Sequence, residues 1–326
     1  MKAAIITRPG GPEVLEIQDV ETPEPAGDLV RVRVRASGIN RADLLQRAGG
    51  YPAPAGSPSN IPGMEFAGEV DAVGSLVRLW KPGQRVMGLA GGGAQAEYIL
   101  AHEGLLVEIP ENLDFAQAAG VPEVFMTAHD ALFTQAGLRM GERVLIHAAG
   151  SGVGTAAIQL ARATGATTFG TSRTFAKLEQ ARALGLDFAL PAQGFVAEVQ
   201  RLTNQQGVHV VLDFIGGDYL EQNMQVVGNW GRIVILATLG GAQGTLPIGM
   251  LMGKRVSVKG VTLRSRTLEE KLAVTRAFAT SVLPLLASGK VKPIIERTYP
   301  LAEIASAHTA MGANANFGKL VITLDA

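Results

Sequence analysis

The chain has 326 residues, and its 29 lysines and arginines are balanced by 29 aspartates and glutamates. Because one hydrophobic core seldom grows beyond roughly 250 residues, this length predicts two domains. The zero net charge makes nucleic acid an unexpected main partner, since binding to phosphates usually needs a basic surface. The chain has no cysteine, which excludes disulfides, thiolate metal sites and cysteine nucleophiles.

The chain is expected to be a soluble protein of the cytoplasm. The apolar run before Thr7, Arg8 and Pro9 is too short for a secretory leader. No uninterrupted apolar stretch approaches the roughly 18 residues that a membrane-spanning helix needs. The absence of cysteine fits the same compartment.

The first third of the chain has short runs of alternating apolar and polar residues, separated by glycine and proline, as in half-buried β-strands. In Leu29–Ala36 valines alternate with arginines, so the arginines are expected to form a solvated face; a binding stripe is the alternative. Further strands are predicted at Glu65–Val73, Arg85–Leu89, Gln95–Leu100 and Leu105–Ile109. This part is expected to be an all-β domain.

From Pro122 onwards, predicted strands alternate with helices of about a dozen residues. The strands are Arg143–His147, Thr167–Thr171, Asp187–Leu190, Val208–Phe214, Arg232–Ala237 and Val256–Thr262. The helices are Gly152–Thr164, Phe175–Leu184, Phe195–Asn204, Tyr219–Val227 and a looser segment around Leu246–Gly253. This alternation predicts an α/β domain with a doubly wound, six-stranded parallel sheet of the Rossmann type.

The last 60 residues have the character of the first part again. They contain a predicted helix at Leu268–Ser288, a strand at Ile294–Tyr299, a helix at Leu301–Met311 and a strand at Lys319–Leu324. We therefore expect the chain to return and complete its first domain. The predicted domains are residues 1–121 with 265–326, and residues 122–264.

A turn of small residues, Ala148–Gly154, joins the first Rossmann strand to its helix. Open backbone amides and the helix dipole at such a turn bind phosphate, so Gly150, Ser151, Gly152 and Val153 are the predicted pyrophosphate contacts. The string departs from G-x-G-x-x-G, because alignment on Gly154 puts Ala149 and Ser151 at the earlier glycine positions. An ordinary glycine-rich turn is the alternative.

The end of the second Rossmann strand predicts NADPH rather than NADH. NAD sites place an acidic residue there to hold the ribose hydroxyls. This chain has Thr171, Ser172 and Arg173, followed by Lys177 one turn into the next helix. A hydroxyl and two cations suit a 2′-phosphate, whereas two ordinary surface cations are the alternative.

Several short strings together resemble the medium-chain dehydrogenase/reductase family, specifically its zinc-independent NADPH:quinone oxidoreductases. The strings span nearly the whole chain: Lys2–Ala4, Pro9–Glu13, Ser37–Asp43, Pro62–Glu65, Lys81–Gly83, Ala148–Gly154, Asp213 with Ile215–Gly217, and Gly318-Lys319. The type related to the p53-inducible quinone oxidoreductases is the most similar, through Asn40–Gln46, Ile146–Gln159 and Leu263–Arg266.

This resemblance implies a GroES-like β-rich catalytic domain, a Rossmann domain, and an active site in the cleft between them. It also implies a homodimer formed through the edge strand Val256–Thr262. Zinc-binding relatives place cysteine and histidine where this chain has Asn40, Met64-Glu65 and Glu123. Carboxylates and an amide alone are poor zinc ligands, so no metal is expected and alcohol dehydrogenation is disfavoured.

The resemblance also implies the contacts around the nicotinamide. The residues expected to bind the cofactor there are Thr127, Gly216, Leu239, Gly240, Leu263, Asn316, Phe317 and Lys319. Many relatives carry a tyrosine near the adenosine phosphate after the third Rossmann strand, where this chain has Ala192. That departure weakens the match on the adenine side.

Hydride transfer to a quinone requires positioning and a donor to the developing oxyanion. Asn40 is the candidate donor, Asp43 is expected to orient it, and Tyr51 could donate to or stack on a flat acceptor; loop-structuring roles are the alternatives. The predicted function is NADPH-dependent reduction of a quinone. The alternatives are reduction of an α,β-unsaturated ketone or aldehyde, for which Tyr51 would supply a proton, and a non-catalytic protein that binds NADPH or RNA. The five histidines are expected to be structural.

Overall fold

The computed structural model describes residues 1–324. The strands are β1 (Lys2–Ile6), β2 (Leu15–Asp19), β3 (Leu29–Gly38), β4 (Glu65–Val73), β5 (Arg85–Leu89), β6 (Tyr98–His102), β7 (Leu106–Glu108), β8 (Arg143–Ile146), β9 (Thr167–Ser172), β10 (Phe188–Pro191), β11 (Val208–Asp213), β12 (Val227–Ile235), β13 (Ser257–Gly260), β14 (Ile295–Pro300) and β15 (Lys319–Thr323).

The α-helices are α1 (Arg41–Arg47), α2 (Phe115–Ala119), α3 (Pro122–His129), α4 (Gly152–Ala163), α5 (Phe175–Ala183), α6 (Phe195–Leu202), α7 (Tyr219–Val226), α8 (Ile248–Lys254), α9 (Leu268–Ser281), α10 (Leu283–Ala287) and α11 (Ile304–Gly312). Short 3-10 turns lie at Pro12–Val14, Glu103–Leu105 and Leu301–Glu303, and a π-helical turn at Asp130–Gln135 continues α3. The chain divides into a β-rich unit, Met1–Met126 with Leu263–Ala326, and a Rossmann unit, Thr127–Thr262.

The β-rich unit is built on a seven-stranded sheet, ordered β14-β15-β3-β4-β5-β7 with β6 paired to β3. The valines of β3 are buried, as the alternation predicted. Two of the three alternating arginines form cross-strand ion pairs, Arg31 with Asp71 at 2.6 Å and Arg35 with Glu69 at 2.8 Å. These pairs account for much of the arginine row without a ligand.

The C-terminal strands extend this sheet, since β15 lies antiparallel to β3 and parallel to β14. The single helix predicted at Leu268–Ser288 is wrong, because the structure has two helices, α9 and α10, that meet at Val282. Pro284 explains the break: it lacks the N–H that a continuous helix would need, but is tolerated in the first turn of a new one. The all-β description of the first part is also wrong, because α1 and α2 lie in it.

The Rossmann unit contains the predicted six-stranded parallel sheet, ordered β10-β9-β8-β11-β12-β13. Its order reverses between β8 and β11, and ligands of such sheets bind beyond the carboxyl ends of the strands at this point. Buried residues including Leu145, Phe169, Val211 and Ile233 form the core beneath it. The loops that follow β8, β9, β11 and β12 are therefore the ones that can form a site.

Within residues 1–324, no helix is both long and apolar enough to cross a membrane.

Candidate active site

The turn after β8 has the geometry of a phosphate site. Ala148 adopts a left-handed backbone, with φ of 48°, and the chain then enters α4 through Ser151, whose Oγ accepts from the Gly154 amide at 3.0 Å. The amides of Gly152 and Val153 lie in the first turn, where no intrahelical acceptor exists. With the helix dipole, these amides can bind a pyrophosphate.

Gly154 leaves no room for a side chain in this turn. A β-carbon there would lie 2.5 Å from the carbonyl oxygen of Ala148. The glycine therefore allows α4 to pack closely on the strand that precedes it, which is the role of the third glycine in a dinucleotide turn.

A buried polar network supports the turn from below. His147 Nδ1 lies 2.8 Å from Thr171 Oγ1, and its Nε2 lies 2.7 Å from Asn223 Oδ1. Asn223 Nδ2 in turn donates to Asp213 Oδ2 at 3.0 Å. Burial lowers the pKa of His147, against the opposing effects of Asn223 and Asp213. The network joins the ends of β8, β9 and β11 to α7, so His147 is structural in the way the sequence predicted, but it supports predicted cofactor residues.

The residues predicted to bind the 2′-phosphate lie at the carboxyl end of β9 and at the start of α5. Ser172 is partly exposed and its Oγ accepts from the Thr174 amide at 3.1 Å; Arg173 is exposed and Lys177 is partly exposed. Thr171 is instead buried beneath them, with its hydroxyl against His147. A partly exposed hydroxyl beside two cations fits a phosphate monoester.

A tyrosine that the sequence interpretation missed, Tyr219, lies against Ala192, the position where the resemblance implied a tyrosine. The Tyr219 hydroxyl donates to the Ala192 carbonyl oxygen at 3.3 Å, and its ring stacks on Phe195. It comes from α7, not from the segment after β10. Sequence offered a weak signal for it, because Tyr219 opens a helix that follows the Asp213 turn.

The turns after β11 and β12 are tied to each other. Asp213 Oδ1 accepts from the amides of Ile215 and Gly216 at 2.7 and 3.0 Å, and the Gly240 amide donates to Ile215 O at 2.7 Å. Gly216 has a φ of 64°, which favours glycine. Leu239 is exposed at this edge. The structure thus places the predicted pair Gly216 and Gly240 in adjacent turns.

In the β-rich unit, Asp43 organises the start of α1. Its Oδ2 accepts from the Asn40 amide at 2.8 Å and its Oδ1 from the Gly63 amide at 3.0 Å. Complete burial raises the pKa of Asp43 to about 6, although these two hydrogen bonds act in the opposite direction. Asp43 therefore fixes the backbone of Asn40 and makes no contact with its side-chain amide.

The Asn40 side chain belongs to a buried ionic cluster with Glu65 and Lys319. Asn40 Nδ2 donates to Glu65 Oε1 at 2.9 Å, while Lys319 Nζ lies 2.6 Å from both Asn40 Oδ1 and Glu65 Oε1. Glu65 Oε2 accepts from the Glu123 amide at 2.8 Å. The carboxylate fits because Gly38 has no β-carbon, which would lie 2.3 Å from Glu65 Oε1. The sequence indicated Lys319 as a cofactor contact, whereas in the structure its ammonium group binds Asn40 and Glu65.

Tyr51 is held by Arg264, which the sequence interpretation used only as a family marker. Arg264 Nε donates to Gly91 O at 2.8 Å and Nη2 to Gln46 Oε1 at 2.5 Å. Its guanidinium lies over the Tyr51 ring, 5.2 Å from the centroid, and Nη1 donates to Tyr51 O at 3.3 Å. This buried arginine therefore fixes both the ring and the backbone of Tyr51.

The remaining predicted contacts are placed near the start of β15 or lie partly exposed. Asn316 Nδ2 donates to Gly318 O at 2.8 Å, and the Phe317 amide donates to Glu296 Oε2 at 3.2 Å. Leu263 and Thr127 are partly exposed. Their roles at a nicotinamide stay predictions.

Comparison with known proteins establishes the family. Two family models match, the alcohol dehydrogenase GroES-like domain over residues 26–111 and the zinc-binding dehydrogenase over residues 152–279. The quinone oxidoreductase of Homo sapiens is 32% identical over 336 residues, covering 99% of this chain and 98% of that relative. The chain belongs to the medium-chain dehydrogenase/reductase family. The resemblance inferred from the sequence, and the GroES-like and Rossmann fold that it implied, are thereby confirmed.

Two further medium-chain relatives are similar over nearly their whole length. The quinone oxidoreductase of Pseudomonas aeruginosa (strain PAO1) is 38% identical, covering 96% of each chain. The crystal structure of the quinone oxidoreductase of Pseudomonas syringae pv. Tomato DC3000 has a TM-score of 0.87 and 32% identity, covering 99% of each chain. This medium-chain protein is accordingly an oxidoreductase of a nicotinamide-dependent family.

Proposed function

We propose that this oxidoreductase transfers hydride from NADPH to a quinone without a zinc ion. The observation that carries the proposal is the Asn40–Glu65–Lys319 cluster, which holds an amide in a buried site against a lysine–glutamate ion pair. The names of the curated relatives from Homo sapiens and Pseudomonas aeruginosa agree with a quinone as acceptor.

The residues of the Rossmann unit fit NADPH. The amides of Gly152 and Val153 and the hydroxyl of Ser151 would hold the pyrophosphate, and Ser172 with Arg173 would hold the 2′-phosphate. The β9 end has no carboxylate that would repel this phosphate or bind ribose hydroxyls in its place. When bound, NADPH supplies a hydride, and with one proton from solvent a quinone becomes a hydroquinone.

The residues of the β-rich unit do not fit zinc. Asn40, Glu65 and Glu123 offer an amide and carboxylates, which are weak zinc ligands, and the chain has no cysteine. The Lys319 ammonium already lies on the Asn40 and Glu65 oxygens, so a metal ion there would have to displace it. Within residues 1–324, no cluster of three or more His, Asp or Glu side chains is placed to hold a metal.

A second candidate is reduction of an α,β-unsaturated ketone or aldehyde, in which a proton must also reach the α-carbon. Tyr51 favours this candidate, because its ring is fixed by Arg264 while its hydroxyl has no hydrogen-bond partner within residues 1–324. A phenol in that state can donate to a substrate.

Oxidation of NADPH, measured with ortho-quinones, para-quinones and enones, with and without a chelator, tests both candidates. We expect quinone reduction that a chelator leaves unchanged. Loss of activity on chelation would contradict the metal-free mechanism. Turnover of enones alone, abolished in Tyr51→Phe, would favour the second candidate.

We also propose a homodimer that pairs β13 of two copies. β13 is an edge of the six-stranded sheet, and exposed strand edges are open to pairing. The large apolar side chains of Trp230, Ile248 and Met252, here called the edge patch, are exposed in the same unit. Arg255, two residues before β13, lies over the Trp230 ring at 4.6 Å. An exposed edge next to exposed apolar groups is typical of a self-complementary interface.

A further inference from the structure

Lys319 delivers its ammonium to three buried oxygen atoms. Nζ lies 2.7 Å from the carbonyl oxygen of Ile39 and 2.6 Å from both Asn40 Oδ1 and Glu65 Oε1. The Lys319 side chain is 3% exposed and that of Glu65 is 0% exposed. An ammonium has three hydrogens, so each is used within the protein. A new partner of Lys319 would have to replace one of these oxygens.

The contacts of Asn40 fix which way its amide points. Oδ1 accepts from Lys319, and Nδ2 donates to Glu65 Oε1 at 2.9 Å, so a cation and an anion select the same orientation. The other possible acceptor of Nδ2 is Gly38 O, at 3.5 Å, which is too long for a strong hydrogen bond. One N–H of Asn40 is therefore only weakly engaged.

A cation on the carbonyl oxygen of an amide withdraws electron density from its nitrogen and strengthens the N–H as a donor. The effect is larger in a buried site, where the effective dielectric constant is low. We propose that Lys319 is a positioning residue that orients and polarises the Asn40 amide toward the acceptor oxygen. The inference rests on the proposed reductase function and assigns to Lys319 a role other than contact with the nucleotide.

The chemistry makes this role measurable. The acceptor gains two electrons and one proton as hydride, negative charge develops on its oxygen, and a proton from solvent completes the hydroxyl. Asn40 donates a hydrogen bond and keeps its proton. Hydrogen bonds strengthen with the basicity of the acceptor. The stabilisation of the oxyanion by Asn40 should therefore be largest for electron-rich quinones, whose product oxyanions are the most basic.

The test compares Lys319→Met with wild type over methylated, unsubstituted and chlorinated 1,4-benzoquinones. We expect kcat to fall about 100-fold with the tetramethyl quinone, near the usual loss of one oxyanion donor, and only a few-fold with the chlorinated quinones. The Kd for NADPH, measured by fluorescence titration, should stay within about twofold. Lys290→Met, which removes an exposed lysine of the same unit, is the matched control and should leave every rate unchanged.

A double-mutant cycle shows whether Lys319 acts through Asn40. If it does, Lys319→Met should cause little further loss in an Asn40→Ala background, since residues that act as one unit are not additive. Should Lys319→Met fail to fold, Glu65→Gln with Lys319→Met removes the charge pair together, and the same dependence on the quinone is expected.

Equal losses for all quinones, or additive effects in the cycle, would overturn the role of Lys319. A rise of about tenfold in the Kd for NADPH would assign the lysine to the nucleotide instead. The rates of the wild type test the proposed function separately. If the wild type reduces only enones, the quinone proposal is wrong. The role of Lys319 is then tested with Lys319→Met on enones whose product oxyanions differ in basicity. A wild type that reduces neither series overturns both proposals.

Discussion

His147 Nε2 lies 2.7 Å from Oδ1 of Asn223, and this contact fixes the tautomer of the histidine. The Asn223 amide is itself oriented, because its Nδ2 donates to Asp213. Asn223 Oδ1 can only accept, so His147 carries its proton on Nε2 and its Nδ1 accepts from the Thr171 hydroxyl. The hydroxyl hydrogen of Thr171 is therefore donated to His147.

Replacing Thr171 with valine should destabilise the Rossmann unit. The substitution keeps the shape of the side chain but leaves Nδ1 of His147 buried without a donor, which costs about 1–3 kcal/mol. Urea denaturation measures this free energy of unfolding. Thr164→Val is the control, because the Thr164 hydroxyl bonds within its own helix at a partly exposed site. Equal losses in the two variants would show that the His147 contact contributes nothing.

Arg173 should decide the preference for NADPH. Arg173→Ala is expected to weaken NADPH binding by about 10- to 100-fold, the value of one charge-assisted contact to phosphate, and to leave NADH binding unchanged. Titration with the two nucleotides measures both constants. Arg182→Ala, which removes an exposed arginine of α5 that pairs with Glu179, is the matched control. A parallel loss for both nucleotides would assign Arg173 to folding and not to the 2′-phosphate.

The sequence predicted the Rossmann sheet well because its signals are local. A continuous apolar strand, a small-residue turn and an amphipathic helix recur with each βα unit, so Arg143–His147 and Gly152–Thr164 were found within a residue or so of β8 and α4. The element bounds that were predicted wrongly depend on longer-range packing. β12 begins at Val227 and not at Arg232, because it pairs from there with Val208 of β11.

The residues of the candidate site could be selected from the sequence by their type, but the side chains that they contact could not. Asn40 and Lys319 are 279 residues apart, and no periodicity indicates that the strand β15 brings them together. Glu65 was noted only as a poor metal ligand, although it is the charge that Lys319 neutralises. Arg264 lay in a family marker, and its contact with Tyr51 depends on a loop conformation that the sequence does not determine.

Gly154 should tolerate no side chain. In Gly154→Ala the β-carbon would lie 2.5 Å from Ala148 O, so the turn must move and nucleotide affinity should fall at least about tenfold. Gly249→Ala is the control: in α8 its β-carbon meets nothing within 4 Å, and alanine should stabilise that helix by up to about 1 kcal/mol. Thermal unfolding with and without NADPH compares the two. Normal binding by Gly154→Ala would contradict the packing argument.

Because of Asp43, the free energy of unfolding should fall as the pH rises from about 4 to above 6. Burial raises its pKa from 3.8 to about 6, so the folded state favours the protonated form. Stability from this group is fully present below pH 3.8 and is lost as the pH rises through 6, by up to about 3 kcal/mol at 1.36 kcal/mol per pKa unit. The difference in unfolding free energy between wild type and Asp43→Asn, measured from pH 4 to 7, should change by about 2 kcal/mol, because part of the loss falls outside this range. A constant difference would show that Asp43 titrates normally.

Charges on the edge patch should dissociate the proposed dimer without unfolding the chain. Ile248 and Met252 are 64% and 72% exposed, so Ile248→Glu with Met252→Glu costs little in a single subunit. Pairing of two β13 edges would bury these carboxylates, and burying an unpaired charge costs several kcal/mol. Sedimentation equilibrium should therefore give twice the 34.1 kDa chain mass for wild type and the single mass for the variant. Met140→Glu, at a residue of the same unit that is 82% exposed, should stay dimeric. A variant with the wild-type mass would place the subunit interface on another surface.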